Sequence, residues 1–536
     1  MKTIMSQKWH SGRISTIRTL LLLPILLAGA VLNTVAQSPP ASPDSSLRDI
    51  LNQLPGTLLG LEDAIRSSMT SDPAVLSAGA MVAAAHGVMR REGGAFEPQL
   101  FLGWMYRDDK LPAASFFSGA SVLHTLQAEG NAGLTWNLPI GTSITASLDA
   151  IRLNTNSSFA FLSPQYTTAG ALVLRQPLLR GFTASARKEL TSAERLAEAA
   201  EGRLNQEMLS LRTRVELLYW DLYAGERDFA VQKLTRDRAA AFLRETEVKA
   251  AAGLIGPNQV ANARTFLSEQ EILLLDREEQ LDRLSDMLAA TMGIRPDRTQ
   301  PRFRTVDHPR DIFPESDVDS LVQASLEGNL ALRAVKAEIE AQQTLAHAAA
   351  WEALPSVDLV GALGGNGLAG TARDVIFGND TLRTQVGGGF GDAIGQVTKR
   401  DFPNWHVGVE VNVPIGFSSG LGEEDRLKAE VEIMQQRYEQ EERILEAEVR
   451  SRCRELTHGQ QRLNLARQGV AAAQEQVRIG LIEFQNGRST AFELVRLGAD
   501  FAVAQQRYSQ ALVRSAKAAA MLRQLTSGAY DPGPAR

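Results

Sequence analysis

The side chains best suited to reaction chemistry are sparse and scattered. The chain has seven histidines, none at a helical spacing that would let two of them ligate one metal ion. Its single cysteine, Cys453, has no partner for an internal disulfide and reads as a free thiol facing a neighbouring helix. There is no phosphate-binding loop, no serine nucleophile elbow and no Cys–His neighbourhood. The glycine-rich stretch Gly387 to Gly391 is not set between a strand and a helix, so it reads as a flexible surface loop and not as a dinucleotide fingerprint. Paired Glu and Asp residues abound, but on helices a solvated face accounts for them. No catalytic constellation, metal site or cofactor is expected, and the chain is not read as an enzyme.

The informative chemistry is that of surfaces. Trp405, Val407, Val409, Val411 and Val413 alternate with His406, Gly408, Glu410 and Asn412. One face is wholly apolar and ends in an aromatic; the other is polar. A transmembrane β-strand needs about 9–11 residues of this dyad pattern, with lipid on one side and an aqueous lumen on the other. Thr168, Gly170, Leu172 and Leu174 form a second such face, ending at Gln176-Pro177. Leu100, Leu102, Trp104 and Tyr106 share a third, while Val357 and Leu359 begin a fourth. Between Asn131 and Leu178 only Asp149, Arg152 and Arg175 are charged. A soluble β-sandwich shows the same alternation, but four short strands inserted between long helical rods would make a poor independent sandwich. One chain offers too few strands to close a wide barrel, and open edges cannot exist in hydrocarbon. The chain must then oligomerise, and cyclic symmetry closes such a ring.

The elements that carry these strands come in two copies. Asp72-Pro73 and Asn329-Leu330 both sit where a helix N-cap is wanted, and the same shift carries Pro98 onto Pro355. Each copy continues through a strand ending in an X-Pro pair, Gln176-Pro177 and Val413-Pro414. Long helical stretches follow from about Ala184 and Glu423. Each is interrupted once, at Gly253-Leu254-Ile255-Gly256-Pro257 and at Asn486-Gly487-Arg488-Ser489. Landmarks repeating in the same order mark an internal duplication. Heptad seams run along the helices: Leu204, Met208, Leu211, Val215, Leu218 and Leu222, then Leu267, Leu274, Leu281 and Leu288. The second copy has Leu427, Val431, Met434 and Tyr438, then Leu494, Leu497, Phe501, Ala504, Tyr508 and Ala511. Such seams wind helices into left-handed coiled coils. Roughly 70 helical residues make a rod of about 100 Å. Alanine-rich stretches such as Ala197 to Ala200 and Ala471 to Ala473 let a helix touch a neighbour on each side, as a closed ring requires. The helices alone also admit a plain antiparallel coiled-coil rod, and the strands decide between the two.

These landmarks divide the chain. Residues 1–36 read as a secretory signal peptide: Lys2, Lys8, Arg13 and Arg18 precede an apolar run from Leu20 to Val31, with Thr34 and Ala36 at the cleavage positions. The run is too short for a membrane anchor, which takes about 20 residues. Residues 37–60 form an extended N-terminal segment, 61–295 the first repeat, 296–316 a Pro- and charge-rich linker, 317–527 the second repeat and 528–536 a disordered tail. Removing the signal leaves 62 acidic against 52 basic groups, a formal −10, so nothing electrostatic favours binding nucleic acid.

In this order the elements resemble the TolC-like outer membrane efflux proteins, across essentially the whole mature chain. The resemblance rests on the twofold helix–strand–strand–long-helix plan and on the run Leu174-Arg175-Gln176-Pro177-Leu178-Leu179-Arg180-Gly181-Phe182. Pro355 opening a strand and Asn404-Trp405 with Val413-Pro414 complete it. It implies a mainly α fold with a β-barrel part: coiled-coil helices form an α-barrel tunnel, and the strands join a shared trimeric transmembrane barrel. It implies a passive exit duct of a tripartite efflux or type I secretion system. A homotrimer would sit in outer-membrane lipid with its helices in the periplasm, receiving a periplasmic adaptor and an inner-membrane pump. The hairpin tips that would dock the adaptor match Gly253, Leu254, Ile255 and Gly256, and Gly487, Arg488, Ser489 and Thr490. The periplasmic entrance constriction, where the family places acids one turn apart, matches Glu493 and Arg496. Only the first is acidic, which suits an ionic latch between chains instead of an electronegative ring.

The first copy departs from the second by an extra alternating pair, Leu134 to Ile140 and Thr142 to Ala150, reversing at Pro139-Ile140-Gly141. The second has only a Gly-rich, strand-poor loop there, Gly361 to Gly395. The extra pair either enlarges the barrel or forms a hairpin outside the membrane. Two other functional classes compete. A periplasmic coiled-coil adaptor or scaffold would have one hairpin and no lipid-facing strand. A secreted enzyme with helical arms would need a site that the sequence lacks.

Overall fold

The computed structural model describes residues 47–296, 299, 302–310, 317–486 and 488–531. The expected signal peptide lies outside the described residues, as do residues 37–46 and the end of the tail. The segment expected to be extended instead holds a short helix α1 (Arg48–Asn52) before strand β1 (Thr57–Leu59). Helices α2 (Leu61–Ser71) and α3 (Pro73–Gly93) follow, then strands β2 (Gln99–Pro112), β3 (Val122–Asn137), β4 (Ser143–Thr155) and β5 (Leu162–Pro177). The first helical hairpin is α4 (Ala184–Ala251) and α5 (Pro257–Met292). Beyond β6 (Phe303–Thr305) the plan repeats with α6 (Val318–Gly328), α7 (Leu330–Glu352) and β7 (Ser356–Ala372). The small pair β8 (Val375–Phe377) and β9 (Asp380–Leu382) and helix α8 (Phe390–Lys399) lead to β10 (Phe402–Asn412). The second hairpin is α9 (Ser418–Gln485) and α10 (Ala491–Leu525).

The duplication is visible in atomic detail. Asp72 accepts hydrogen bonds from the Ala74 and Val75 amides, and Asn329 from those of Ala331 and Leu332. Both caps stand at nearly the same extended φ and ψ, the geometry that lets a side-chain oxygen satisfy the first free amides of a helix. Asn329 does more, since its amide group also donates to the Leu525 carbonyl at 3.1 Å and ties α7 to the end of α10. The two long helices are each 68 residues, about 100 Å of rod.

Each long helix has two sets of neighbours. Towards the sheet, α4 packs on α3 and α7, and α9 on α7; towards the tips, α4 packs on α5 and α10, and α10 on α9. The heptad seams supply most of that packing: Leu211, Val215, Leu222, Leu281, Leu288, Phe501 and Tyr508 are buried, while Met208 is exposed. Cys453 is buried among Val449, Leu456 and Tyr530. Tyr530 at 3 % exposure shows the start of the supposed tail packed into that core.

The Pro- and charge-rich linker contributes β6, which pairs in parallel with β1. The Tyr219 hydroxyl binds this small sheet to α4: it donates to the Leu59 carbonyl and accepts from the Val306 and Asp307 amides. Glu226 accepts from the Thr305 amide and hydroxyl, each at 2.7 Å. Such long-range pairing leaves no local signal in sequence.

The main sheet is antiparallel, in the order β10-β7-β5-β4-β3-β2. Two sequence expectations need correcting here. The extra hairpin is longer than its apolar alternation suggests, because β3 begins at Val122. The Gly-rich stretch from Gly361 is not strand-poor, since β7 runs through it to Ala372. Glycine is used there for close approach: a Cβ on Gly367 would lie 2.0 Å from the Ala393 carbonyl oxygen of α8, and one on Gly170 would lie 2.7 Å from Val397. The run Gly387 to Gly391 leads directly into α8, where the Asp392 carboxylate accepts from the Gly389 amide.

Two predictions follow from the joints. Asn329→Ala should cost about 1–2 kcal/mol, a cap plus a side-chain bond, read as a lower thermal midpoint in detergent. Asn329→Asp should recover the cap share only, and an unchanged midpoint in both would refute the assignment. Burial pushes the Glu226 carboxyl from its ordinary 4.5 up to about 7, against the opposing effects of the Thr305 hydrogen bonds, Arg227 and Arg304. The folded chain thus holds a proton there that the unfolded chain has released, so this contribution is fullest below pH 4.5 and fades as pH rises to about 7. Glu226→Gln should flatten the slope of thermal midpoint against pH across that window; an identical slope would count against it.

Candidate functional site

The sheet has one apolar and one polar face, and the register fixes which residues share each. A single row on the apolar face runs Trp405, Leu363, Leu172, Ala146, Leu134, Leu100 through all six strands. The adjacent row on the other face runs His406, Ala362, Val173, Thr145, Thr135, Gln99. The large apolar side chains lie open: Leu102, Trp104, Trp405 and Val407 are 69–76 % exposed. A water-soluble sheet does not leave such a face bare.

The apolar face has ends. On β2 it stops after Tyr106, which stacks beside Trp104 at 6.3 Å between centroids. Asp108, next on that face, meets His124 at 2.6 Å. Near the helices, Trp136 donates its indole N–H to the Phe96 carbonyl. Aromatics with one polar handle at both margins of an apolar band are what a membrane interface selects. On the polar face, Arg175 bridges Asp358 at 2.6 Å and Glu410 at 3.1 Å where the strands approach the helices. Among the described residues no helix is long and apolar enough to cross a membrane.

Both hairpin tips close alike. Gly253 adopts φ +70°, and the Leu254 amide reaches back to the Lys249 carbonyl. At the second tip the Arg488 amide reaches the Glu483 carbonyl by the same five-residue step. At the first tip this is the glycine-centred helix stop expected for a tight reversal. Leu254 projects at 73 % exposure. Gly256 caps α5 ahead of Pro257, and Thr490 caps α10 by accepting from the Glu493 amide. Gly487 lies outside the described residues. Ile255, Pro257, Val260 and Arg264 line a shallow recess beside the first tip.

Glu493 and Arg496 are exposed one turn apart on α10. Within one chain the Glu493 carboxylate accepts from the Ser489 hydroxyl at 3.2 Å. Leu494 and Leu497 turn toward Gly480 of α9, and Gly498 toward Arg238 of α4. The charged residues therefore occupy the helix face left over by intrachain packing. Sequence reasoning missed Asp500, four residues past Arg496 and exposed like it. Its i+4 spacing from a base was a readable signal, and it makes the stripe acid–base–acid.

The flanks of the molecule are unfinished. Strand β10 is exposed at every residue and β2 at nearly every one. Below β10, helix α9 bares Ile433, Ile444, Leu465 and Ile479; on the β2 side, α3 and α5 bare Leu76, Met81, Ile272 and Leu275.

Comparison with known proteins agrees with this geometry. Residues 321–528 match the model of the outer membrane efflux protein family. No curated protein sequence matches the chain. Among solved structures, the outer-membrane channel OprN is similar at 16 % identity and a TM-score of 0.61, covering 88 % of this chain and 90 % of its own. VceC from Vibrio cholerae is similar at 16 % identity and 0.60, covering 88 % and 97 %. The Campylobacter jejuni CmeC outer membrane channel is similar at 12 % identity and 0.62, covering 88 % and 87 %. At these identities the structures establish the shared fold, mostly helical with a sheet part, of TolC-like outer-membrane channels. The chain thus carries a match to the outer membrane efflux protein family over residues 321–528 and shares the fold of these channels over most of its length.

Proposed function

We propose that three copies of this chain form a passive outer-membrane exit duct in a tripartite efflux or type I secretion assembly. The observation that carries this is the two-faced sheet with unpaired edges. An apolar band demands lipid, and lipid forbids open strand edges, so identical copies must complete the wall. The unfinished flanks suit this, because β10 with α9 forms one side and β2 with α3 and α5 the other. Such a head-to-tail interface closes into a ring. The helices then extend the ring into the periplasm as a tunnel. The tips around Gly253–Gly256 and Arg488–Thr490 lie farthest from the sheet and suit an adaptor, with Leu254 as an apolar anchor. In this reading an inner-membrane pump supplies the energy.

At the tunnel entrance Glu493, Arg496 and Asp500 form the charged stripe. Copies of the stripe converging on the axis would pair acid to base between chains and hold the entrance closed. Purified protein in planar bilayers should conduct weakly at rest, and Glu493→Gln and Arg496→Ala should each raise conductance several-fold. Unchanged conductance in both would remove the latch but leave the duct. Absence of any conductance, wild-type and variants alike, would contradict the duct itself.

A further inference from the structure

The hairpin β3–β4 gives one copy of the repeat two more sheet strands than the other. Its position within the sheet decides what it does. It neither stands apart nor caps an edge: β3 pairs with β2 and β4 with β5, so it fills the middle of the first copy's half. The apolar and polar rows pass through it without a break in register, with Leu134 and Ala146 on one side and Thr135 and Thr145 on the other. Trp136, Ile144 and Leu148 extend its apolar face. Its lower turn is fastened to the wall, since Gly141, at φ +89°, sits where a Cβ would come within 2.1 Å of the Gly181 carbonyl oxygen. The Ile140 carbonyl accepts from the Thr183 amide at the start of α4.

The sheet also carries the slant of a barrel wall. Pairing takes Gln99, the first residue of β2, across to His406 of β10, six residues short of that strand's last residue, Asn412. Both Gln99 and Asn412 mark the helix-side end of their strands. A drift of six residues in five steps, at ~3.3 Å per residue and ~4.8 Å between strands, is a tilt of about 40°. Outer-membrane barrels tilt by roughly that much. The strands alternate up and down, β2 leaving the helices and β10 returning to them. With six per chain, the β10 of one copy meets the β2 of the next antiparallel, the pairing used throughout.

We infer that the extra hairpin belongs to the barrel wall and that three chains close an 18-stranded barrel. This rests on the trimeric duct proposed above. At ~4.8 Å spacing and a tilt of about 40°, 18 strands give a Cα ring about 36 Å across. Four strands per chain, with the hairpin outside, would give about 24 Å. The outer-membrane end is therefore not where cargo is sized. Selection falls to the helical entrance, and the wide exit suits hydrophilic cargo bulkier than a narrow barrel would pass. The hairpin also adds Glu129 and Asp149 to the polar face and no basic residue, so the widened lumen becomes more acidic.

Electron cryomicroscopy of the full chain in lipid nanodiscs tests this. Threefold particles with 18 strands and a Cα ring near 36 Å would support the inference. Threefold particles with a ring near 24 Å and a protruding hairpin would overturn it while leaving the duct intact. Particles without a closed ring would overturn both. A second measurement uses single cysteines in a Cys453→Ser background, labelled with a charged thiol reagent in proteoliposomes. Asn131→Cys and Thr145→Cys should label at least several-fold faster than Leu134→Cys and Ala146→Cys. Equal labelling at all four positions would place the hairpin outside the wall and overturn the inference.

Discussion

A backbone amide or carbonyl in hydrocarbon has no water to bond, and this constraint organises the molecule. The exposed apolar face from Leu100 to Trp405 puts the sheet in lipid. Lipid then makes the free edges of β2 and β10 untenable in a single copy. The same two flanks continue below the sheet as helices with bare apolar side chains, α9 on one side and α3 with α5 on the other. The proposed ring of copies would answer both demands at once. Helices α4 and α9 start a few residues after β5 and β10, and in the proposed duct they carry the ring's circumference away from the membrane.

Within one chain, the two copies of the repeat are held by joints that differ in kind. Near the sheet, Lys188 meets Glu352 and Arg195 meets Glu340, joining α4 to α7. Deeper, Arg523 meets the buried Glu216, and Lys517 meets Asp221, joining α10 to α4. At the middle, Tyr219 and Glu226 hold β1 and β6 against α4 through groups that are almost fully buried. Among the described residues the joins near the tips are exposed ones, such as Arg264 to Glu247 and Lys249 over the Phe484 ring. The proposed latch residues Glu493, Arg496 and Asp500 thus stand at the end held by exposed joins, away from the buried ones.

Much of this was legible in the sequence because its signals are local and periodic. Asp72 and Asn329 announce helix starts, the heptads announce rods, and Trp405 to Val411 announce a two-faced strand. What was not legible depends on partners far along the chain. The β1–β6 pairing joins Thr57 to Phe303 with nothing local to mark it. The upper part of β3, around His124 and Gln127, reaches past the apolar band, so its alternation fades and its start was placed too late. Strand β7 looks like a loop at Gly364, Gly365 and Gly367 because those glycines make room for α8 and for neighbouring strands. At the entrance, Glu493 and Arg496 were found by resemblance, and Asp500 needed the exposed face of α10 to be seen.

The central claim is that identical copies complete one another in the outer membrane. Its most direct test is the mass and location of the protein purified without heating. Light scattering of the detergent-solubilised outer-membrane fraction should give three times the chain mass, collapsing to one chain only on boiling. A soluble monomer recovered from the periplasm, stable with its sheet edges free, would contradict the account.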